Sequence, residues 1–173
     1  EHVGRKEVAQ TAREVAKART RDSTRVLTRL ADEVDGRLRF VADPPLIVPL
    51  DDLLPPGTAH DEVEAWMGSL IDTYRRSISR RHHPLEEYRY MDTARKVVGV
   101  GSVGTRAWIH LFIGRDEGDP LVLQAKEAQP SVLERFLGRS RFANHGRRVT
   151  EGQRLMQGAS DIFLGWLRLE GVD

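Results

Sequence analysis

The chain has 173 residues, with 27 Lys and Arg against 26 Asp and Glu and no cysteine. That length suits one domain with its own core, and the balanced charge excludes a bulk field for nucleic acid or an anionic membrane, so any basic patch must be local. Without cysteine there is no disulfide framework, thiolate metal site or cysteine nucleophile, and apolar runs such as "PPLIVPL" are too short to span a bilayer. A cytoplasmic protein with no membrane partner is expected.

Residues 3–31 place Val8, Ala12, Val15 and Ala16, then Val26, Leu27, Leu30 and Ala31, at helical spacing. Two helices or one bent helix are expected. The arginines among them alternate with Glu7, Glu14, Asp22, Asp32 and Glu33, which reads as a solvated face rather than a nucleic-acid surface. Gly36 ends this region, and "RLRFVA" alternates as a short strand. Pro49 confines "LIVPL" to an edge or an irregular segment. After the loop "DDLLPPGTAHDE" a helix begins near Thr58 or Asp61, with Val63, Trp66, Met67, Leu70, Ile71 and Tyr74 on its apolar side.

Adjacent His82 and His83 point about 100° apart on a helix and lack a third ligand at a recognised spacing, so they read as a surface helix terminus ended by Pro84. His60, His110 and His145 stand alone, and no hydrolytic triad has support. The chain divides into a mainly helical region, 1–88, with a short strand pair near 37–50, and a glycine-loop sheet, 89–173. Glu1 falls inside a helical pattern, and "LRLEGVD" stops just after a strand-like run, so a piece of a longer protein is expected.

The stretch "KVVGVGSVGTRAWIHLFIG", residues 96–114, holds a G-x-G-x-x-G at Gly99, Gly101 and Gly104. In a dinucleotide-binding fold the third glycine opens a helix. Here Thr105, Ala107, Ile109, Leu111 and Ile113 alternate with Arg106, Trp108, His110 and Phe112, which is the period of a strand. Strand, glycine loop and strand form the layout of a kinase-type lobe, in which backbone amides cradle phosphates. The turn "GRDEGDP" then leads into "LVLQAKEA", where Lys126 fills the place of the kinase strand lysine.

Two acids are candidates to orient that lysine, Glu134 in "SVLERFL" and Glu151 in "RRVTEGQRLMQGAS". Glu151 is preferred, because Val149, Leu155 and Met156 can pack its helix on the sheet. Glu127 lies on the opposite strand face from Lys126 and is a poor partner. "DIFLGWLRLEG" reads as a fourth strand. Arg106 stands where kinases carry an apolar residue, and the hairpin between loop and lysine is long for a kinase.

The blocks "DTARKVVGVGSVGTR", "DPLVLQAKEAQPSVLE" and "NHGRRVTEGQRLMQGASDIFLGW", with the earlier "DPPLIVPL", resemble the bacterial family catalogued as domain of unknown function 2252. The resemblance runs from about residue 38 onward. Full-length members carry upstream Cys-Gly-Asp-x-His-x-x-Asn-Phe and Asn-Asp-Phe-Asp elements that look like the catalytic-loop and metal-binding motifs of aminoglycoside-type phosphotransferases, in permuted order. This chain has neither, so the resemblance implies a fragment that does not itself transfer phosphate.

The fold expected is α+β, an antiparallel sheet like a kinase nucleotide lobe with N-terminal helices beside it. The function expected is binding of ATP with magnesium through Gly99, Gly101, Ser102, Gly104, Lys126 and Glu151, with an unnamed acceptor, no catalytic residue and no protein metal ligand in this chain. The alternative is a non-catalytic binding or scaffold module. Nucleic acid is the least favoured partner.

Overall fold

The computed structural model describes residues 30–78, 83–97, 104–169 and 171–173. The helices expected over residues 3–31 therefore lie outside the described residues except at Leu30, which is helical, and at Ala31, where the expectation is corrected. Ala31 opens a strand, β1 (Ala31–Val34), which pairs antiparallel with β2 (Arg37–Phe40) in the register Val34 to Arg37. The cause is local: Asp35 and Gly36 both take positive φ, 52° and 72°, as a two-residue hairpin turn of the right twist requires.

The second sheet has the order β3 (Ile47–Pro49), β4 (Arg89–Lys96), β5 (Ala107–Ile113) and β6 (Pro120–Lys126), with every neighbour antiparallel. Pro49 sits at the end of an edge strand, where its missing donor costs no central ladder bond. The two strands near 37–50 do not pair with each other, since β2 joins β1 and β3 joins β4. Among the described residues the α+β fold also holds the helices α1 (His60–Ser77), the single turn α2 (Glu134–Leu137) and α3 (His145–Met156).

Strand alternation gives the four-stranded sheet two apolar faces. Ala94, Ile109 and Leu111 pack with Ala31, Phe40 and Ile47 beneath the β1–β2 hairpin. Phe112 packs on the other face with Ile71, Ile78 and Leu85. Val63, Met67 and Ile71 recur every four residues along α1 and are its buried stripe, while Trp66 remains 41% exposed. Each such burial stabilises by about 1.5–3 kcal/mol.

Three further expectations are corrected. His83 is buried rather than a surface helix end. Its Nδ1 accepts from Leu85 N at 3.1 Å and its Nε2 meets Ile162 O at 2.7 Å, which fixes the 3-10 turn Pro84–Glu87. Residues 161–169 form no strand, because side chains take the backbone groups that a sheet would use. Tyr74 OH donates to Phe163 O, Trp166 N donates to Ser77 Oγ at 2.8 Å, and Arg154 Nη2 donates to Leu164 O at 2.8 Å. A Cβ at Gly165 would meet Tyr74 at 2.6 Å, so α1 and this segment approach only because the residue is glycine. Finally, Leu155 and Met156 of α3 are 82% and 88% exposed and do not pack on the sheet, and the residue this helix buries is Thr150.

Candidate functional site

Of the loop residues expected to cradle phosphate, Gly99, Gly101 and Ser102 lie outside the described residues. Gly104 is described, with φ of 87° and no atom within 4 Å of the place a Cβ would take. Its backbone conformation suits glycine, and the space beside it is open. The chain then enters β5 at Ala107, which is paired with Lys126, the last residue of β6.

Directly opposed residues of an antiparallel pair share a face. Lys126 therefore leaves on the side of Ala107 and Ile109, at the exposed end of the sheet. Arg106 and Glu127 leave on the other side and are tied together. Glu127 N donates to Arg106 O at 2.9 Å, Arg106 N donates to Glu127 Oε2 at 3.2 Å, and Arg106 Nε lies 3.5 Å from the same oxygen. The pair pins the exit of the glycine segment to the strand that carries Lys126. The sequence placed Glu127 away from Lys126 but did not find this partner, because the register that brings residues 106 and 127 together is not a local property.

Glu151 lies on α3, where its Oε1 is 3.1 Å from Arg154 Nη1. The base of α3 is anchored beside the end of β6. Arg148 Nη2 donates to Gln129 O at 2.8 Å, and Ala128 N donates to Asp173 O at 2.7 Å. Asn144 caps the helix by accepting from Arg147 N at 2.7 Å, and Asp173 accepts from His145 N and from Asn144 Nδ2, each at 2.7 Å. The Arg168 guanidinium also binds Asp173, and this hydrogen bond is the main reason its carboxyl lies below the usual carboxylate range. Glu134, the other acid considered, is turned toward His145 Nδ1, 4.0 Å away.

A second polar cluster lies within the sheet. Tyr90 OH donates to Thr93 Oγ1 at 3.0 Å, and Thr93 Oγ1 is 2.8 Å from His110 Nδ1. The hydroxyl has one proton, so accepting from Tyr90 leaves it to donate to an unprotonated Nδ1. Burial lowers the His110 pKa to about 4 and pushes Tyr90 up to about 12. Nearby, buried Asp92 accepts from Phe40 N at 2.7 Å and Thr93 N at 2.8 Å, and desolvation raises its pKa. This carboxylate ties the hairpin to the sheet.

Fold and site together define an α+β protein built on an antiparallel sheet, with a glycine turn and an exposed lysine at one end. The chain belongs to a family described as an uncharacterized protein conserved in bacteria, domain of unknown function 2252, which matches residues 2–173. No curated protein and no solved structure matches it. Among the described residues no helix is long and apolar enough to cross a membrane.

Proposed function

We propose that the chain is the nucleotide-binding part of a kinase-like bacterial phosphotransferase, with ATP and magnesium as its ligand and an acceptor of unassigned chemistry. The observation that carries this reading is the position of Lys126: it ends β6 opposite Ala107, three residues beyond Gly104, so an exposed cation lies near the end of the glycine motif that the structure describes. In this reading Gly99, Gly101, Ser102 and Gly104 present backbone amides to the phosphates, and Lys126 supplies a point charge. The open space at Gly104 leaves room for a ligand to approach the backbone there. Magnesium would come bound to the phosphates, and Glu151, paired here with Arg154, would have to exchange that partner to orient the lysine.

Titration with magnesium-ATP, followed by melting temperature in the wild type and in Lys126→Ala, tests the reading. At a hundredfold excess over the dissociation constant, ligand adds about 2.7 kcal/mol to stability. The expected result is a shift that the alanine variant loses. No shift in the wild type, or the same shift in both proteins, refutes it. The second reading, a binding or scaffold module, is favoured by the large apolar side chains that α2 turns outward.

A further inference from the structure

Two parts of the described surface carry opposite charge, and both expose apolar side chains. Between residues 131 and 148, Arg135, Arg139, Arg141, Arg147 and Arg148 stand against one acid, Glu134, which is turned toward His145. Around α2 this part projects Val132, Leu133, Phe136 and Leu137, with Phe136 75% and Leu137 79% exposed. Arg135 lies 5.4 Å over the Phe136 ring and Arg141 lies 5.0 Å over Phe142, so guanidinium groups are held at the edge of the apolar surface.

The other part lies between residues 30 and 66, where nine carboxylates stand against two arginines. Both arginines are already engaged: Arg37 Nη1 lies 3.3 Å from Glu64, and Arg39 is paired with Asp51. Those pairs also join the hairpin, the segment after β3 and the start of α1 into one side of the molecule. Asp32, Glu33, Asp35, Asp52, Asp61 and Glu62 remain exposed there, beside outward-facing Val34 and Trp66. Among the described residues no hydrogen bond or ion pair connects the basic part to the acidic part within one chain.

We propose that the two parts bind each other between copies: the α2 prong of one chain docks on the acidic hairpin and α1 face of a second, head to tail. Balanced total charge conceals the separation, and opposite patches on one molecule attract between copies while like patches repel. An exposed cluster of four large apolar side chains marks a contact surface, and the outward Val34 and Trp66 give the opposing patch apolar area to cover it. A heterologous contact of this kind leaves one donor and one acceptor face free on every dimer, so it continues into longer oligomers unless it closes. The proposal does not depend on nucleotide binding.

Sedimentation velocity of the full chain from 5 to 200 µM tests it. In 50 mM salt the weight-average mass is expected to rise to at least twice the monomer mass, and 500 mM salt should weaken association at least fivefold. Two double variants, Phe136→Ser with Leu137→Ser and Asp32→Lys with Glu33→Lys, should each weaken it at least tenfold while keeping the wild-type circular dichroism spectrum. Mixed in equal amounts they should recover association that stops at the dimer, since one face of each variant is intact. A chain that is monomeric at 200 µM in low salt overturns the proposal, and so does a mixture that fails to recover. Monomers that instead bind phosphatidylglycerol vesicles through Phe136 assign the patch to a lipid surface and equally refute the second copy.

Discussion

His110 shows what a residue's surroundings add to its identity. Read along the chain it is a lone histidine on a strand, but the β4–β5 register sets it opposite Thr93 and so within reach of the hydroxyl that Tyr90 also binds. Its folded pKa is about 4, against an ordinary value of 6.5. As pH falls through 6.5 the unfolded chain takes up the proton first, so stability is lost on acidification until the folded ring titrates as well. Between pH 7.5 and 5 the loss assigned to this residue is about 2 kcal/mol. Urea unfolding of the wild type and of His110→Phe at the two pH values measures it, and a loss that persists unchanged in the variant places its origin elsewhere. The candidate nucleotide site has the same character. Lys126 was legible from its strand, whereas the Arg154 partner of Glu151 and the Arg106 partner of Glu127 follow from packing and register.

At the scale of elements, β5 was readable because it alternates over seven residues, β6 because an apolar run follows the turn "GRDEGDP", and α1 because its apolar stripe recurs at helical spacing, whereas β4 was implied only as the strand before the glycine loop. β1 was missed although Asp35-Gly36 is a strong hairpin signal, because the helical spacing before it ran on through Leu30 and Ala31. Residues 161–169 alternate well enough for a strand yet find no sheet edge, since Tyr74, Ser77 and Arg154 reach their backbone first. The hairpin's attachment gives a prediction at this scale. Asp92→Ala leaves the amides of Phe40 and Thr93 without their acceptor and should destabilise the fold by about 2–4 kcal/mol. Hydrogen exchange should show residues 31–40 losing protection before β5, and equal protection of both in the variant argues against this role for Asp92.

Over the whole molecule, the core divides between the two faces of one sheet, and the α2 and α3 apolar residues lie outside both. Leu111 is fully buried, so Leu111→Ala should cost about 2–5 kcal/mol. Phe136→Ser at concentrations where the chain is monomeric should change stability by no more than about 0.5 kcal/mol, although it removes a larger side chain. Denaturant midpoints of the two variants make the comparison, and a Phe136→Ser loss near that of Leu111→Ala means that α2 packs inward. If the head-to-tail contact forms, the same substitution becomes costly only as concentration rises, which separates folding from association.

By itself the sequence determined the elements with long regular periods, the confinement of β3 to an edge and the strand that ends at Lys126, because these depend on neighbours within a few turns of chain. Tertiary structure decided which acid met which base, that His83 lies inside, that residues 161–169 form no strand and that the apolar side of α3 faces outward. Each of those outcomes depends on which distant groups reach a backbone amide, a carboxylate or an apolar surface first. That competition is settled by the register of β4, β5 and β6 and by the side chains of α1, and no local window of sequence contains it.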